Sequence, residues 1–327
     1  MNSTSTLSVL LAEIASAPAI DPAASPRPPA PGDELGRFRL VREIGRGSFG
    51  VVFEAADGVT GERVALKAVR PGRHQGQASR MLEQEAQALR SIRHPSVVRA
   101  LGMGRSACGP YLVTELLRGR TLESRVRSGR PMAVPEALGI LEGVARALAA
   151  AHAAGVVHGD LKPANVFLAE PGGVKLLDFG LSRSAGADGV SGGTPPYMAP
   201  EQWRGQVEGT RADVFAFGVL LHLLLSGRLP FAVRGGHSEA LDDRPLPPLG
   251  AGAGRALRRV RDRCLARDPA RRFADGSELL EALLAARPQP SRAARLAVRL
   301  RALQPVAARW LAPAGMTAVT RPCRGAA

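Results

Sequence analysis

After residue 36 apolar and polar positions alternate in short runs, each closed by glycine, aspartate or proline. Residues 38–44, 50–55 and 63–69 are such runs and are predicted to be strands. Asp57-Gly58 and Thr60-Gly61 separate the second from the third, turn chemistry that predicts an antiparallel meander. From 77 to 92 the period lengthens, with Met81, Leu82, Ala86 and Leu89 at helical spacing, and two further strands are predicted at 97–103 and 111–116. Beyond Gly119 the pattern turns helical. Pro135 opens and Gly155 closes an amphipathic run over 137–152, and helices are predicted at 213–225, 254–266 and 277–286. Strand-like fragments lie at 156–157, 166–168 and 174–177. The longest apolar run, 214–225, is broken by Gly218 and His222 and falls short of the ~18 residues of a membrane span, so it is predicted to be a buried core helix. A β-rich first part followed by a helical second part predicts an α+β, two-lobed body with a ligand cleft between the lobes.

Composition changes this picture mainly at the two ends. Residues 1–36 are rich in Ser, Thr, Ala and Pro and are expected to be a flexible leader; the apolar stretch 7–14 contains Glu13 and has no positively charged start, so no signal peptide is expected. The folded body is expected over 37–286, with lobes at about 37–117 and 118–286. Residues 287–327 form a tail with eight arginines and no acid. Leu296, Leu300 and Leu303 share a helical face there before Pro305 interrupts it. A membrane-surface or partner contact through 287–311 and a loosely docked tail are both readings of that pattern. The net charge of +15 does not call for nucleic acid, because an overall Arg, Ala and Gly bias accounts for it. Cys108, Cys264 and Cys323 are odd in number and widely spaced, which predicts neither disulfides nor zinc and points to a reducing cytoplasm.

Only three of the 44 basic residues are lysine, and a lysine kept in such a chain marks a place for a compact ammonium. Lys67 ends the apolar run Val64-Ala65-Leu66, where a buried ammonium requires a carboxylate; Glu85 in the following helix is the candidate. Lys162 lies in His158-Gly159-Asp160-Leu161-Lys162-Pro163-Ala164-Asn165, and Asp178-Phe179-Gly180 follows. Lys175 is given no role. Gly45-Arg46-Gly47-Ser48-Phe49-Gly50 places three glycines between two strands, where backbone N–H groups can lie over phosphates. A dinucleotide fold would place a helix after the third glycine, and here a strand follows.

Together, and in this order, these motifs resemble those of a eukaryotic-type (Hanks-type) protein serine/threonine kinase of the kind also found in bacteria, over about residues 36–286. The resemblance implies a bilobal protein-kinase-like fold. It implies ATP and Mg²⁺, with Mn²⁺ an alternative, as cofactors and proteins as substrates, with autophosphorylation expected. Gly45, Gly47 and Gly50 would cover the phosphates, Lys67 would bind them with Glu85 orienting it, and Asn165 and Asp178 would hold the metal. Asp160 would accept the substrate proton and Lys162 steady the transferred group, with Thr194 marking Ser/Thr specificity. Val52, Ala65 and Phe167 would sandwich adenine, Glu115 to Leu117 would form the hinge, and Thr114 would guard the pocket behind it. Gly193 to Glu201 resembles the end of the activation segment, and an Arg272 to Glu201 ion pair is implied. Gly159 stands where the family usually has Arg, and without a guanidinium to pair with a phosphate, activity without activation-loop phosphorylation is expected; Ser182, Ser184 and Ser191 are the hydroxyls of that loop. The alternatives are a pseudokinase scaffold, whose signature would be loss of Lys67, Asp160, Asn165 or Asp178, and a small-molecule kinase of related fold.

Overall fold

Two-residue alternation between residues 34 and 115 builds one antiparallel sheet. The computed structural model describes residues 27–47, 50–72, 74–179, 193–206, 209–250 and 252–287. Strands β1 (Glu34–Leu35), β2 (Phe38–Arg46), β3 (Gly50–Asp57), β4 (Arg63–Val69), β5 (Ala100–Ser106) and β6 (Gly109–Glu115) lie in the order β1-β2-β3-β4-β6-β5. One face buries Leu40, Val51, Phe53, Val64, Leu66, Tyr111 and Val113 in a core of its own. The register sets the other face, with Val52 opposite Lys67, Lys67 opposite Leu112, and Ala65 opposite Thr114. Helix α1 (Gln75–Ser91) packs there through Leu82, Ala86 and Leu89.

Residues 27–36, expected in the leader, are folded. Leu35 is buried, Glu34 pairs with Arg39, and Gly32 N–H donates to the Leu40 carbonyl at 2.8 Å. The prolines do not prevent this, because an extended edge segment needs few of its own N–H donors. Residues 1–26 lie outside the described residues.

The second lobe comprises β7 (Gly119–Thr121), α2 (Leu122–Val126), α3 (Val134–Ala153), β8 (Val166–Ala169), β9 (Val174–Leu176), α4 (Pro200–Trp203), α5 (Thr210–Ser226), the hairpin β10 (Val233–Arg234) and β11 (His237–Ser238), α6 (Arg255–Cys264) and α7 (Gly276–Ala285). Helix α5 is the predicted core helix, buried without a break from Ala212 to Leu225. The two residues that interrupted its apolar run have packing roles. A Cβ on Gly218 would stand 2.6 Å from Cys264 Cβ, so glycine lets α6 approach closely, and His222 Nδ1 lies 3.2 Å from Arg261 Nη1.

Two predicted strand segments are different in the structure. Val97 and Val98 precede β5; Val97 bridges Leu176 in parallel, which joins this segment to β9. Val156-Val157 forms no strand, because the N–H groups that follow, His158 and Gly159, bond to the Asp213 carboxylate instead of a neighbouring strand.

Candidate active site

The glycine-rich stretch runs from the end of β2 to the start of β3, with Gly45 paired to Val52, which shares a sheet face with Ala65 and Lys67. A Cβ on Gly50 would sit 2.7 Å from the Ala68 carbonyl oxygen, so packing alone demands glycine there. Gly45 and Gly47 differ: a Cβ would meet nothing closer than 3.7 Å and 4.0 Å respectively, and neither residue has positive φ. Nothing among the described residues excludes side chains at these two. Gly47 N–H donates to the Gly50 carbonyl at 3.0 Å, and Arg70 Nη2 donates to the Gly47 carbonyl at 3.1 Å.

Beneath the turn, Lys67 Nζ donates to Glu85 Oε2 at 2.8 Å and to Asp178 Oδ1 at 2.6 Å. Burial disfavours the ammonium, but the two carboxylates outweigh it and hold Lys67 above the usual lysine value. Burial, with the charge of Asp178 beside it, pushes Glu85 up to about 7 against the pull of Lys67. Asp178 is also raised by burial, yet the Lys67 ammonium outweighs this and holds it below the usual carboxylate range. Asp178 has φ +54°, a left-handed conformation costing about 1–3 kcal/mol for a residue other than glycine; such outliers cluster at functional sites.

The segment from His158 to Asn165 is held by groups far away in sequence. Asp213, at the start of α5 and 1% exposed, accepts His158 N–H at 2.7 Å and Gly159 N–H at 2.8 Å. It also lies 2.9 Å from His152 Nε2, and since His152 Nδ1 accepts Gly276 N–H, Nε2 carries the proton. Burial would raise Asp213, but the hydrogen bonds and histidines around it outweigh that and hold it low. His158 Nδ1 accepts Asp160 N–H at 3.3 Å, so its Nε2 donates to the Leu177 carbonyl at 2.9 Å; its ring lies 4.8 Å from that of Phe179. Gly159 has φ +77°, a conformation that favours glycine and gives a backbone reason for the missing Arg beside the chemical one.

On this frame Asp160 Oδ1 accepts Thr194 N–H at 2.9 Å and Thr194 Oγ1–H at 2.7 Å, while Oδ2 accepts Lys162 Nζ at 2.5 Å. Lys162 also donates to Thr194 Oγ1 at 2.7 Å. Asn165 Nδ2 donates to the Asp160 carbonyl at 2.9 Å, leaving its amide oxygen for another partner. The four predicted catalytic residues therefore form one hydrogen-bonded unit.

The predicted adenine-binding residues fall into two groups. Val52 and Ala65 share the cleft face with Lys67, and Phe167 lies in β8 opposite Thr121 and Lys175. Leu117 packs against the larger core. The Glu115 side chain is bound elsewhere: Oε1 accepts Arg99 N–H at 2.8 Å and Lys175 Nζ at 2.5 Å. Lys175, given no role from sequence, has this partner. Sequence reading also passed over Asp213 and His152 as site residues; an aspartate opening an otherwise apolar helix was the available signal. The implied Arg272 to Glu201 pair forms at 2.6 and 2.8 Å, and Arg272 Nε, Nη1 and Nη2 also donate to the carbonyls of Ala266, Arg211 and Arg267. The loop serines Ser182, Ser184 and Ser191, together with Ser48, Phe49, Gly180 and the tail beyond Arg287, lie outside the described residues.

Asn165 and Asp178 offer hard oxygen donors suited to Mg²⁺, and the Asp178 side chain is 37% exposed to an incoming ion. No group of three His, Cys, Asp or Glu side chains that could hold a metal occurs among the described residues. No helix among the described residues is long and apolar enough to cross a membrane.

The protein kinase domain family model matches residues 38–283. Serine/threonine-protein kinase Pkn1 of Myxococcus xanthus is 37% identical over 81% of this chain and 40% of its own length. Serine/threonine-protein kinase pkn2 of the same organism is 36% identical over 77% and 32%. Serine/threonine-protein kinase PknA of Mycobacterium tuberculosis is 33% identical over 89% and 72%. The chain thus spans well under half the length of the first two. On the family match, which covers residues 38–283, this chain belongs to the protein kinase family.

Proposed function

We propose that this chain is a protein serine/threonine kinase transferring the γ-phosphoryl group of ATP to Ser or Thr hydroxyls, with Mg²⁺ as the working cation and Mn²⁺ as a substitute. The observation that carries the reading is the Asp160–Lys162–Thr194 unit beside the Lys67–Glu85–Asp178 cluster, the two linked where Leu177 N–H, next to Asp178, donates to the Asn165 carbonyl at 2.9 Å. Metal-bound ATP supplies the electrophilic phosphorus and the cation that offsets its charge. Asp160 takes the substrate hydroxyl proton at a carboxylate oxygen now shared with Thr194, so Thr194 occupies the place of a substrate hydroxyl until one arrives. Lys162 presents its ammonium to the transferred group, and Lys67, oriented by Glu85, to the non-transferred phosphates. Asn165 and Asp178 hold the cation, and Gly45, Gly47 and Gly50 cover the phosphates. Val52, Ala65 and Phe167 enclose the adenine, with the backbone of Glu115 to Leu117 at its edge.

The working unit in this reading is a kinase domain over about 37–286, preceded by the folded edge at 27–36 and followed by the Arg-rich tail. Free Cys108 and Cys264 support a cytoplasmic setting. With glycine at 159 and Asp160 already ordered, activity does not wait on phosphorylation of Ser182, Ser184 or Ser191. The test is phosphoryl transfer from radiolabelled ATP to a Ser/Thr protein substrate, comparing wild type, Asp160→Asn and the triple serine-to-alanine variant. Equal labelling by wild type and Asp160→Asn would sink the catalytic assignment. Abolished labelling in a folded triple variant would sink the regulatory one.

A further inference from the structure

Lys175 is the third lysine of an arginine-dominated chain, and its surroundings resemble those of the other two: an ammonium against a carboxylate in a sheltered place. It sits in β9 directly opposite Phe167 in β8, so the two side chains share a face. Its Nζ donates to Glu115 Oε1 at 2.5 Å and to the Val97 carbonyl at 3.4 Å, with the Lys175 and Glu115 side chains only 20% and 22% exposed. Glu115 closes β6 of the first lobe, whereas β9 belongs to the second.

The segment between them is tied at both edges. Leu176 N–H donates to the Ser96 carbonyl at 2.8 Å and Val98 N–H to the Leu176 carbonyl at 3.0 Å. Glu115 N–H donates to the Arg99 carbonyl at 3.0 Å, and its carboxylate accepts Arg99 N–H at 2.8 Å. Residues 96–99 thus bond to β9 on one side and to Glu115 on the other, and Lys175 closes the ring from β9 straight to Glu115. An arginine fork in this place would not present the single point charge that Glu115 Oε1 shares with a backbone N–H.

We infer that Lys175 is a positioning residue of the nucleotide pocket, fixing the Glu115–Leu117 backbone at a set distance from the Phe167 floor so that adenine fits between them. The inference rests on the kinase reading, in which those two elements form the adenine site. Lys175 acts there through Glu115, at the base end, whereas Lys67 and the glycine turn act at the phosphate end. The two ends can therefore be separated by ligand.

The experiment measures calorimetric affinities of the full chain for adenosine, ATP and inorganic tripolyphosphate, alongside KM for ATP and kcat. Lys175→Met, Glu115→Gln and the double variant are each expected to weaken adenosine and ATP about tenfold and to raise KM similarly, with tripolyphosphate affinity and kcat within about twofold of wild type. The double variant is expected to be no weaker than the worse single one, the mark of a shared interaction. Lys175→Arg, which restores the charge but not the compact geometry, is expected to recover part of the loss. Lys67→Met should give the reverse pattern, losing tripolyphosphate while keeping adenosine. Adenosine affinity within twofold of wild type in both folded single variants would overturn the inference, as would a loss equal for all three ligands. Should Lys175→Met not fold, Glu115→Gln and Lys175→Arg decide by the same ligand pattern. A wild type that neither binds ATP nor transfers phosphate would count against the kinase reading and not against this inference alone.

Discussion

Two clusters of buried charge use the same kinds of residue and differ in closure. Arg272 and Glu201 are nearly sealed, with side chains 0% and 8% exposed, and every nitrogen of the guanidinium has an acceptor. Lys67, Glu85 and Asp178 place one cation between two carboxylates, and the Lys67 and Asp178 side chains remain 26% and 37% exposed. The closed cluster has no charge or donor left over. The open one sets two carboxylates against one ammonium; burial first, then the charge of Asp178, pushes Glu85 up to about 7, and a divalent cation beside Asp178 would offset the second carboxylate. A finished network holds the fold; an unfinished one waits for a ligand.

If that contrast is sound, variants at the two places should separate activity from stability. Asp178→Asn, in the open cluster, should lower kcat about 10²–10³-fold while the unfolding midpoint stays close to wild type, since Lys67 keeps Glu85 and Asn tolerates the left-handed φ of +54°, checked by steady-state kinetics and calorimetry. Arg272→Ala should do the opposite, costing about 3–5 kcal/mol because Glu201 is left buried and unpaired. That corresponds to a midpoint lower by about 10 °C, with kcat per folded molecule little changed below the transition. Comparable stability losses in both variants would break the comparison.

A third prediction concerns pH in the closed region. Burial, then the nearby Arg261 guanidinium, pushes His222 down to about 4 despite Asp262, so the folded state keeps it neutral while the unfolded state protonates it near the ordinary value of about 6.5. The unfolded state therefore binds more protons between these values, and stability falls as pH drops through that window. Between pH 7 and 5 this group alone should cost about 2 kcal/mol, so wild type should lose about that much more stability than His222→Asn over the same range, the opposite contribution of Glu85 being common to both, read from denaturant midpoints at each pH. The smallest effect is a pair of like substitutions with opposite signs. Gly159→Ala, at φ +77°, should destabilise by about 1–2 kcal/mol. Gly139→Ala, on the exposed side of α3 with nothing within 4 Å of the added Cβ, should stabilise by about 0.5–1 kcal/mol.

The sequence by itself determined much of this protein, wherever the physics is local. Alternation located β2, β3 and β4, turn residues joined them, and the unbroken burial of α5 followed from its apolar run. The motifs singled out Asp160, Lys162 and Asn165, whose offsets along the chain already place them within reach of one another, and the structure joins them by hydrogen bonds. The lysine bias was legible too, although Lys175 was left without a role because its partner lies 60 residues away at Glu115. What the tertiary structure decided is everything carried by such long-range partners. Asp213 holds the His158 and Gly159 N–H groups from 55 and 54 residues away, so 156–157 is a loop despite its two valines. The edge of β2 gave 27–36 a place to fold, which proline-rich composition could not reveal. Glu115, expected in the hinge, is also one end of an ion pair with Lys175 that the sequence did not reveal. Local period reports which face a residue occupies; it holds no information on what waits on the other side of that face, and there the charges of this protein found their partners.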